Sequence, residues 1–518
     1  MQNSPMLPLF KKYEIKEITP KQMAVIDENC SYLGISTELL MENAGKAVSQ
    51  EIIREISDIS DKTIFIFAGT GNNGGDAFVT ARHLSHFKPK INVLLIGHSS
   101  QIRTEISKKN WNALGKMKYS VSKFEIINSN QLDSLKENIL SADILIDGLL
   151  GTGIREKLRE PVSTAIDLIN EFKGLKVAID IPSGLDPLDG NIHDKAVEAN
   201  LTITFHKLKI GLKNNEKYVG KLVISEIGIP PEAEFLVGTG DVKFLGRSRD
   251  PHSHKGDFGK VLVIGGGKFY TGAPALVGLA AYRTGADLVI IATPEKVAPN
   301  LRSYSPNLIV RDLPGDILSE EAIPNIEKLL PWATSVAIGP GLGDEDSTLK
   351  TVVEVIKKIQ KENIPLVIDA DALKAIALDL KILSKSQIVL TPHEGEFKKL
   401  TGIDLTNMVL PVKIQNVIDS AKKMGVTILL KGHEDIISDG KKFKINITGC
   451  PAMTVGGTGD VLTGITACLI GQKLNTFDSA VAAAFINGKA GELASEKYFG
   501  NHIMATDLLE LIPKAMKI

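Results

Sequence analysis

The chain of 518 residues exceeds the length that a single hydrophobic core usually supports, so two domains are expected. Lysine and arginine (60) offset aspartate and glutamate (61) to a formal net charge of -1, which removes any global electrostatic pull towards nucleic acid or an anionic membrane and leaves small molecules as the expected ligands. Cys30, Cys450 and Cys468 lie far apart without a CxxC pair, so neither a disulfide framework nor a zinc site is indicated. A reducing compartment fits, the first twenty residues carry prolines and charges in place of an apolar leader, and no segment is apolar enough to span a bilayer; the cytoplasm is expected.

In chain order, helical periodicity at 20–30 and 38–56 precedes a β-branched run at 63–68, and a further helix is expected at 77–87. Strand patterns follow at 91–96, 144–147, 177–181 and 201–205. Strands alternating with amphipathic segments predict crossover connections and a three-layer α/β/α, Rossmann-like domain with a parallel sheet. The pattern loosens between Gly228 and Gly256, where Ile229-Pro230-Pro231 and a polar, histidine-bearing stretch intervene. The boundary is set there, giving domains at 1–228 and 246–518 with a linker at 229–245. Strands then resume at 260–264, 336–338, 366–368, 388–390 and 427–430, predicting a second α/β layer structure.

In the first domain, Gly69-Thr70-Gly71-Asn72-Asn73-Gly74-Gly75-Asp76 follows a strand directly. It contains GxGxxG, yet the next strand is followed by His98-Ser99-Ser100 and not by the acid that would hold a ribose, so standard NAD cofactor binding is not expected. Two Asn amides and one Asp carboxylate instead suit ligand hydroxyls, amides or a hard cation. Asp147 precedes Gly148-Leu149-Leu150-Gly151-Thr152-Gly153, and Asp180 precedes Ile181-Pro182-Ser183-Gly184-Leu185-Asp186. Three such loops at the ends of neighbouring strands predict one convergent polar pocket. In His206-Lys207-Leu208-Lys209 the lysines are either solvated or turned inward on a ligand phosphate.

In the second domain, Met453-Thr454-Val455-Gly456-Gly457-Thr458-Gly459-Asp460-Val461-Leu462 sets a carboxylate among glycines at the start of an apolar helix. Free N–H groups in that first turn would face an anion, and glycine lets the backbone approach it. A carboxylate beside bound phosphate is unfavourable unless it serves a purpose, and Asp460 is placed to remove a proton from a hydroxyl attacking phosphorus.

Taken as sets, these motifs resemble a known family over nearly the whole chain. Leu40-Met41-Glu42-Asn43-Ala44-Gly45, the Gly69–Asp76 run, the Asp147 loop and Asp180–Asp186 resemble the NAD(P)H-hydrate epimerase domain. His254–Lys260, Tyr270–Pro274, Ile338–Gly343, Asp369–Leu373, Thr391–Glu396, Lys431–His433 and the Gly456–Asp460 run look like the nucleotide-dependent NAD(P)H-hydrate dehydratase of the ribokinase-like superfamily. The resemblance implies that Asp180 and Asp460 are catalytic, and that Asn72, Asn73, Gly74, Gly75, Asp76, Gly151, Thr152, Gly153, Ile154, Arg155, Glu156, Lys157 and Asp180 bind the epimerase substrate. It further implies that Ala273, Gly341, His393 and Asp460 line the hydrate site, that Lys431, Gly432, His433, Glu434, Asp435 and Gly459 bind nucleotide, and that Asn73, Asp147 and Ser183 hold K⁺. Mg²⁺ with the nucleotide, ADP as donor in preference to ATP, NADHX and NADPHX as substrates, and a homo-oligomer are expected on the same ground.

Three departures from the family pattern stand out: Ala77 and Asp287 where glycine is usual, and Asp435 where threonine is common, the last adding negative charge near the expected nucleotide. Water added across C5–C6 of NAD(P)H leaves a C6 hydroxyl in two epimers. Phosphorylating that hydroxyl and losing phosphate would restore the double bond for the S form, while the first domain interconverts R and S. Three other readings remain open: a ribokinase-superfamily small-molecule kinase, which would release a stable phosphorylated product; a non-catalytic N-terminal binding module; and a nicotinamide-dependent oxidoreductase, against which the missing ribose acid speaks.

Overall fold

The structure, a computed structural model, describes residues 6–151, 157–245, 249–383 and 387–517. The chain divides into two compact units: Ile15–Pro230, and the segment through Glu14 taken together with Pro231–Ile518. Residues up to 14 therefore belong with the second half, against the expected domain at 1–228. The reason is aromatic. The helix Leu7–Tyr13 buries Leu9 and Phe10, with Phe10 stacked at 4.5 Å on Phe235, which stacks in turn at 5.0 Å on Phe443. The expected linker at 229–245 is likewise structured. It forms the helices Pro231–Phe235 and Thr239–Lys243, and buries Phe235, Val237 and Val242.

The first unit is built on a seven-stranded sheet ordered Val121–Ile126, Lys90–Ile96, Thr63–Ala68, Ile144–Gly148, Leu175–Ile179, Leu201–Phe205, Lys221–Ser225. All neighbours are parallel. Every residue of Ile144–Gly148 and Leu201–Phe205 is buried, as a parallel sheet covered on both faces requires. The two strands not anticipated, Val121–Ile126 and Lys221–Ser225, are the edges; Lys123 and Glu125 interrupt the first, and the second is short and buried only at Ser225. The strand expected at 177–181 ends at Ile179, leaving Asp180 in the first residues of the loop. The helix expected at 77–87 begins at Asn72 and ends at Leu84, so Asn72 to Asp76 form its first turn and are not an open loop. Strand order reverses between Thr63–Ala68 and Ile144–Gly148, the point at which such sheets open a crevice.

The second unit holds nine strands ordered Ile309–Leu313, Leu288–Pro294, Lys260–Ile264, Ser335–Ile338, Leu366–Ile368, Ile388–Leu390, Thr427–Leu430, Asp435–Ser438, Phe443–Asn446, with only the last two pairings antiparallel. Its reversal point lies between Lys260–Ile264 and Ser335–Ile338. The helix Thr458–Gly471 is buried from Val461 onward, Thr476–Lys497 is buried over most of its length, and both are rich in small residues. Small residues let them seat closely: a Cβ on Gly464 would run into the Val277 carbonyl of the helix Ala273–Thr284. No helix among the described residues is long and apolar enough to cross a membrane.

Candidate active sites

In the first unit, Asp180 follows its strand with φ +61, a backbone state that a non-glycine residue holds only when its surroundings fix it. They do so through the side chain, which accepts from Lys209 Nζ at 2.6 Å and Thr204 Oγ1 at 3.0 Å. Lys209 is 2 % exposed and also donates to the Phe205 carbonyl at 2.7 Å. It is buried because Leu208–Lys209 pairs with Glu17–Ile18 as a short parallel ladder. The choice left open for these lysines is thus decided for Lys209, which serves a carboxylate. Two more acids face the same charge. Burial, then the charge of Asp180 and then that of Asp27, push Asp76 well above the ordinary carboxylate range against the opposing pull of Lys209. Burial likewise lifts Asp27, on the helix Pro20–Tyr32, to about 6.

Beside this acidic group lies an oxygen-rich nest. Asp147, 1 % exposed, accepts from Ser183 Oγ at 2.6 Å and Ser183 N at 2.7 Å, and burial raises it to about 6 in spite of those bonds. Ser183 Oγ also accepts from Leu150 N at 2.9 Å, and Asn73 Nδ2 donates to the Leu150 carbonyl at 2.9 Å. Asn73 Oδ1, buried, has no hydrogen-bond partner among the described residues. An unpaired acceptor at such a place is costly unless something else meets it.

The glycines of this region sit at close approaches. A Cβ on Gly74 would strike the Gly69 carbonyl, and one on Gly75 would strike Ser107 and Met41, so neither position has room for a larger residue. Ala77 fits at zero exposure beside Gly148. Asn72 is exposed and accepts from Thr104 Oγ1 at 3.0 Å; Gly151 borders Asn73, and Lys157 is exposed. Thr152, Gly153, Ile154, Arg155 and Glu156 lie outside the described residues.

In the second unit, Gly457 takes φ +95 and caps the helix Thr458–Gly471, so Asp460 sits in its first turn. Lys431, at the end of Thr427–Leu430, has its Nζ 3.5 Å from where a Gly459 Cβ would stand. The ammonium and the helix N-terminus therefore present positive charge together. Asp369 fixes both elements: Oδ1 accepts from Lys431 Nζ at 3.0 Å and Oδ2 from Thr463 Oγ1, one turn beyond Asp460, at 2.7 Å. Burial and the charge of Asp369 raise Asp460 to about 7, opposed by Lys431 and reinforced by Asp371.

A cavity of about 490 Å³ opens against Lys431, Gly432, His433, Asp435 and Gly459, with Thr448, Met453, Leu462 and Asn487 among its other walls. Glu434 is not in that wall. Asp435 does line it, but its oxygens are taken by Gly432 N and Asn446 Nδ2, each at 3.0 Å, and burial raises it to about 6; it closes the turn more than it opposes an anion. Gly341, at φ +70, lies against Ala273 and Tyr270, where a Cβ would come within 2.8 Å of the Tyr270 carbonyl. His393 caps the helix Glu394–Thr401 through Nδ1, and a backbone bridge ties it to Lys431. Asp287 caps Gly256 N and Phe258 N and pairs with Arg249, a structural use. Motif reading passed over Asp27, Thr463 and Asn487, which occupy unremarkable helical positions, and quoted Asp369 without a role.

Residues 261–514 match the family model described as NAD(P)H-hydrate dehydratase, and residues 37–211 the one described as YjeF-related protein N-terminus. The chain is 43% identical over 505 residues to the bifunctional NAD(P)H-hydrate repair enzyme Nnr of Pyrobaculum aerophilum, covering 97% of this chain and 98% of that protein. It is 43% identical over 502 residues to the protein of the same name from Methanothermobacter thermautotrophicus, covering 96% and 95%. Among solved structures, the ADP/ATP-dependent NAD(P)H-hydrate dehydratase from Bacillus subtilis, co-crystallized with ATP/Mg²⁺, is similar at 26% identity and a TM-score of 0.46, covering 54% of this chain and 97% of that one.

Proposed function

The chain belongs to the family of bifunctional NAD(P)H-hydrate repair enzymes, and we propose how its two units divide that repair at the level of residues. It is an epimerase followed by a nucleotide-dependent, ribokinase-like dehydratase. The observation that carries the dehydratase assignment is Asp460 in the first turn of a glycine-capped helix, beside Lys431 and a cavity of nucleotide size. Asp460 takes the proton of the C6 hydroxyl as its oxygen attacks the terminal phosphorus. Lys431 and the amides about Gly459 stabilise charge building on the transferred group. The C6–O bond then breaks with loss of phosphate and of the C5 proton, restoring the double bond. With ADP as donor the products are NAD(P)H, AMP and inorganic phosphate.

Ala273, Gly341 and His393 border the hydrate, and Lys431, Gly432, His433, Asp435 and Gly459 border the nucleotide, with Glu434 outside the cavity wall. Mg²⁺ accompanies the nucleotide and neutralises phosphate charge when bound. The nearby carboxylates are already engaged, Asp369 by Lys431 and Thr463, Asp371 by Gly343 N and Lys374, which fits an ion held through the phosphates.

In the epimerase, Asp180 moves a proton at the C6 carbinolamine while Lys209 holds its carboxylate in place. Asn72 to Asp76, Gly151 and Lys157 border the substrate. The residues Asn73, Asp147 and Ser183 fit K⁺, because the buried Asn73 Oδ1 is an acceptor without a donor and Asp147 supplies a buried negative charge. When bound, the ion would supply positive charge beside the substrate. A cytoplasmic setting and a homo-oligomer complete the reading; free thiols at Cys30, Cys450 and Cys468 fit the first, and light scattering of the purified protein tests the second.

The test of the whole reading is incubation of the protein with mixed R and S hydrates, Mg²⁺, K⁺ and either ADP or ATP. Full recovery of reduced-nicotinamide absorbance, with one AMP per NAD(P)H when ADP is given, is expected. Accumulation of a stable phosphorylated product would overturn it.

A further inference from the structure

One carboxyl of the acidic group in the first unit has no hydrogen-bond partner and stands outside the loops that follow the strands. Asp27 lies two turns into the helix Pro20–Tyr32, on one stripe with Met23 and Cys30. The start of that helix is fixed on both sides. Thr19 and Gln22 cap it reciprocally, and Glu17–Ile18, just before it, pairs with Leu208–Lys209. The ladder that buries Lys209 therefore also brings Asp27 up to it. Asp27 is half-buried, yet its carboxylate accepts no hydrogen bond among the described residues. Asp180 is held at one oxygen only: Lys209 Nζ, Thr204 Oγ1 and the Phe205 amide all donate to Oδ1, and Oδ2 receives no donor among the described residues.

The groups that face Asp27 are Lys209, Asp180, His206, Asp76 and, on its own helix, Cys30, whose thiol is pushed up to about 11 by burial and then by the Asp27 charge. Three carboxyls thus share one buried ammonium, so full ionisation would leave negative charge uncompensated and at least one of them keeps a proton. Burial lifts Asp27 to about 6 against the pull of Lys209, with Asp180 adding to the rise and His206 opposing it. Asp76 and Asp180 both rise from the carboxyl edge of the sheet, whereas Asp27 arrives on a helix that precedes the sheet, the placement that suits a group on the other face of a ligand ring. Inverting C6 asks for two such groups. A proton from a carboxylic acid lets the C6 hydroxyl leave as water while the N1 lone pair closes a C6=N1 double bond. A second water then adds to the opposite face, gives its proton to a carboxylate and returns the pair to N1. One water leaves and one enters, no oxidant or reductant is used, and the cationic ring between the two steps suits a crevice with more carboxyls than ammonium groups. We propose that Asp27 is the second proton-transfer group of the epimerase, serving the face of C6 opposite to the one that Asp180 serves. The proposal rests on the reading of Asp180 as the group that moves a proton at C6.

The experiment follows epimerisation of R-NADHX by the full chain with K⁺ and no nucleotide, separating the two epimers by chromatography, from about pH 5 to about pH 9 and in water enriched in oxygen-18. In either direction the pair works with one proton shared between its two carboxyls. The wild-type kcat should therefore fall about tenfold per pH step above about 6, and each turnover should bring one solvent oxygen to C6. In Asp27→Asn, kcat should drop about a hundredfold with KM within about threefold, and the residual rate should lose its alkaline fall, which a merely structural role would leave in place. The ligand-free melting temperature should hold or rise, because a half-buried charge beside two like charges is gone. Asp27→Ala gives the same profile should the amide disturb the helix. An Asp27→Asn enzyme with the wild-type kcat or an unchanged alkaline fall, loss of that fall in Asp76→Asn instead, or epimerisation without oxygen exchange would overturn the proposal. Asp180→Asn separates this from failure of the underlying reading. If that variant epimerises at the wild-type rate, Asp180 is not the group that moves the proton. If it is inactive while Asp27→Asn keeps both rate and pH profile, the site stands and Asp27 carries no proton.

Discussion

Replacing Asp460 by Asn should remove catalysis and add stability, a pairing that a merely structural aspartate would not give. Burial and Asp369 lift the Asp460 carboxyl from its ordinary 3.8 to about 7, with Lys431 pulling the other way. Between those values the folded protein holds a proton that the unfolded chain has released, so stability falls as pH rises from about 4 to about 7 and stays low above it. The full penalty at about 1.4 kcal/mol per pH step, over about three steps, approaches 4 kcal/mol. The side chain is part-exposed, so screening should leave about half of that. Asp460→Asn, nearly isosteric and neutral, should therefore gain about 1–2 kcal/mol at pH 8 and nothing below pH 4, read by urea unfolding at the two pH values. S-hydrate dehydration should fall at least about a hundredfold, as for loss of a general base. In the wild type the dehydration rate should rise with pH through about 7, as the base loses its proton. Near-normal turnover in the variant, or a variant less stable than wild type at pH 8, would refute the reasoning.

If Asn73, Asp147 and Ser183 hold K⁺ as proposed, protons should displace the ion. Asp147 is lifted to about 6 by burial, so the apparent K⁺ affinity, read from K⁺-dependent thermal stabilisation, should weaken about tenfold per pH step below that value, and Asp147→Asn should abolish the stabilisation together with most epimerisation. Gly74→Ala should cost about 1–3 kcal/mol in denaturant unfolding of the first unit, because its methyl would meet the Gly69 carbonyl; an unchanged midpoint would show that the helix can shift. Lys209→Met should leave the Asp180 carboxylate without its cation, slowing epimerisation in a stopped assay with R hydrate while S-hydrate dehydration continues.

What was legible in the chain was the period of its strands and the glycine-bounded loops after them. The central strands of both sheets are buried on two faces and read as unbroken Val, Ile and Leu runs, so most were placed within a residue or two. Edge strands such as Val121–Ile126 alternate with Lys and Glu and carry no such signal. The first turn of Asn72–Leu84 was hidden because Asn-Asn-Gly-Gly scores as a turn, whereas in the fold each glycine answers a close approach of backbone or Met41. Asp180, Asp147, Ser183 and Asp460 were marked by their loops. Lys209 and Asp369 act through partners at distant positions in sequence, Asp180 and Thr463, and only the fold brings those together. The N-terminal helix gave no sign of its destination, since its partners Phe235 and Phe443 lie more than two hundred residues away in sequence.

The division of labour between the two units is tested most directly by Asp180→Ala given an equilibrated mixture of R and S hydrates with ADP and Mg²⁺. Recovery of reduced nicotinamide should run at the wild-type initial rate, stop at the S fraction, and then creep at the spontaneous R-to-S rate. Addition of Asp460→Asn protein, whose first unit is intact, should carry it to completion. Full recovery by Asp180→Ala alone would show that this residue does not epimerise, and a stall that folded Asp460→Asn cannot relieve would show that the two sites do not work independently.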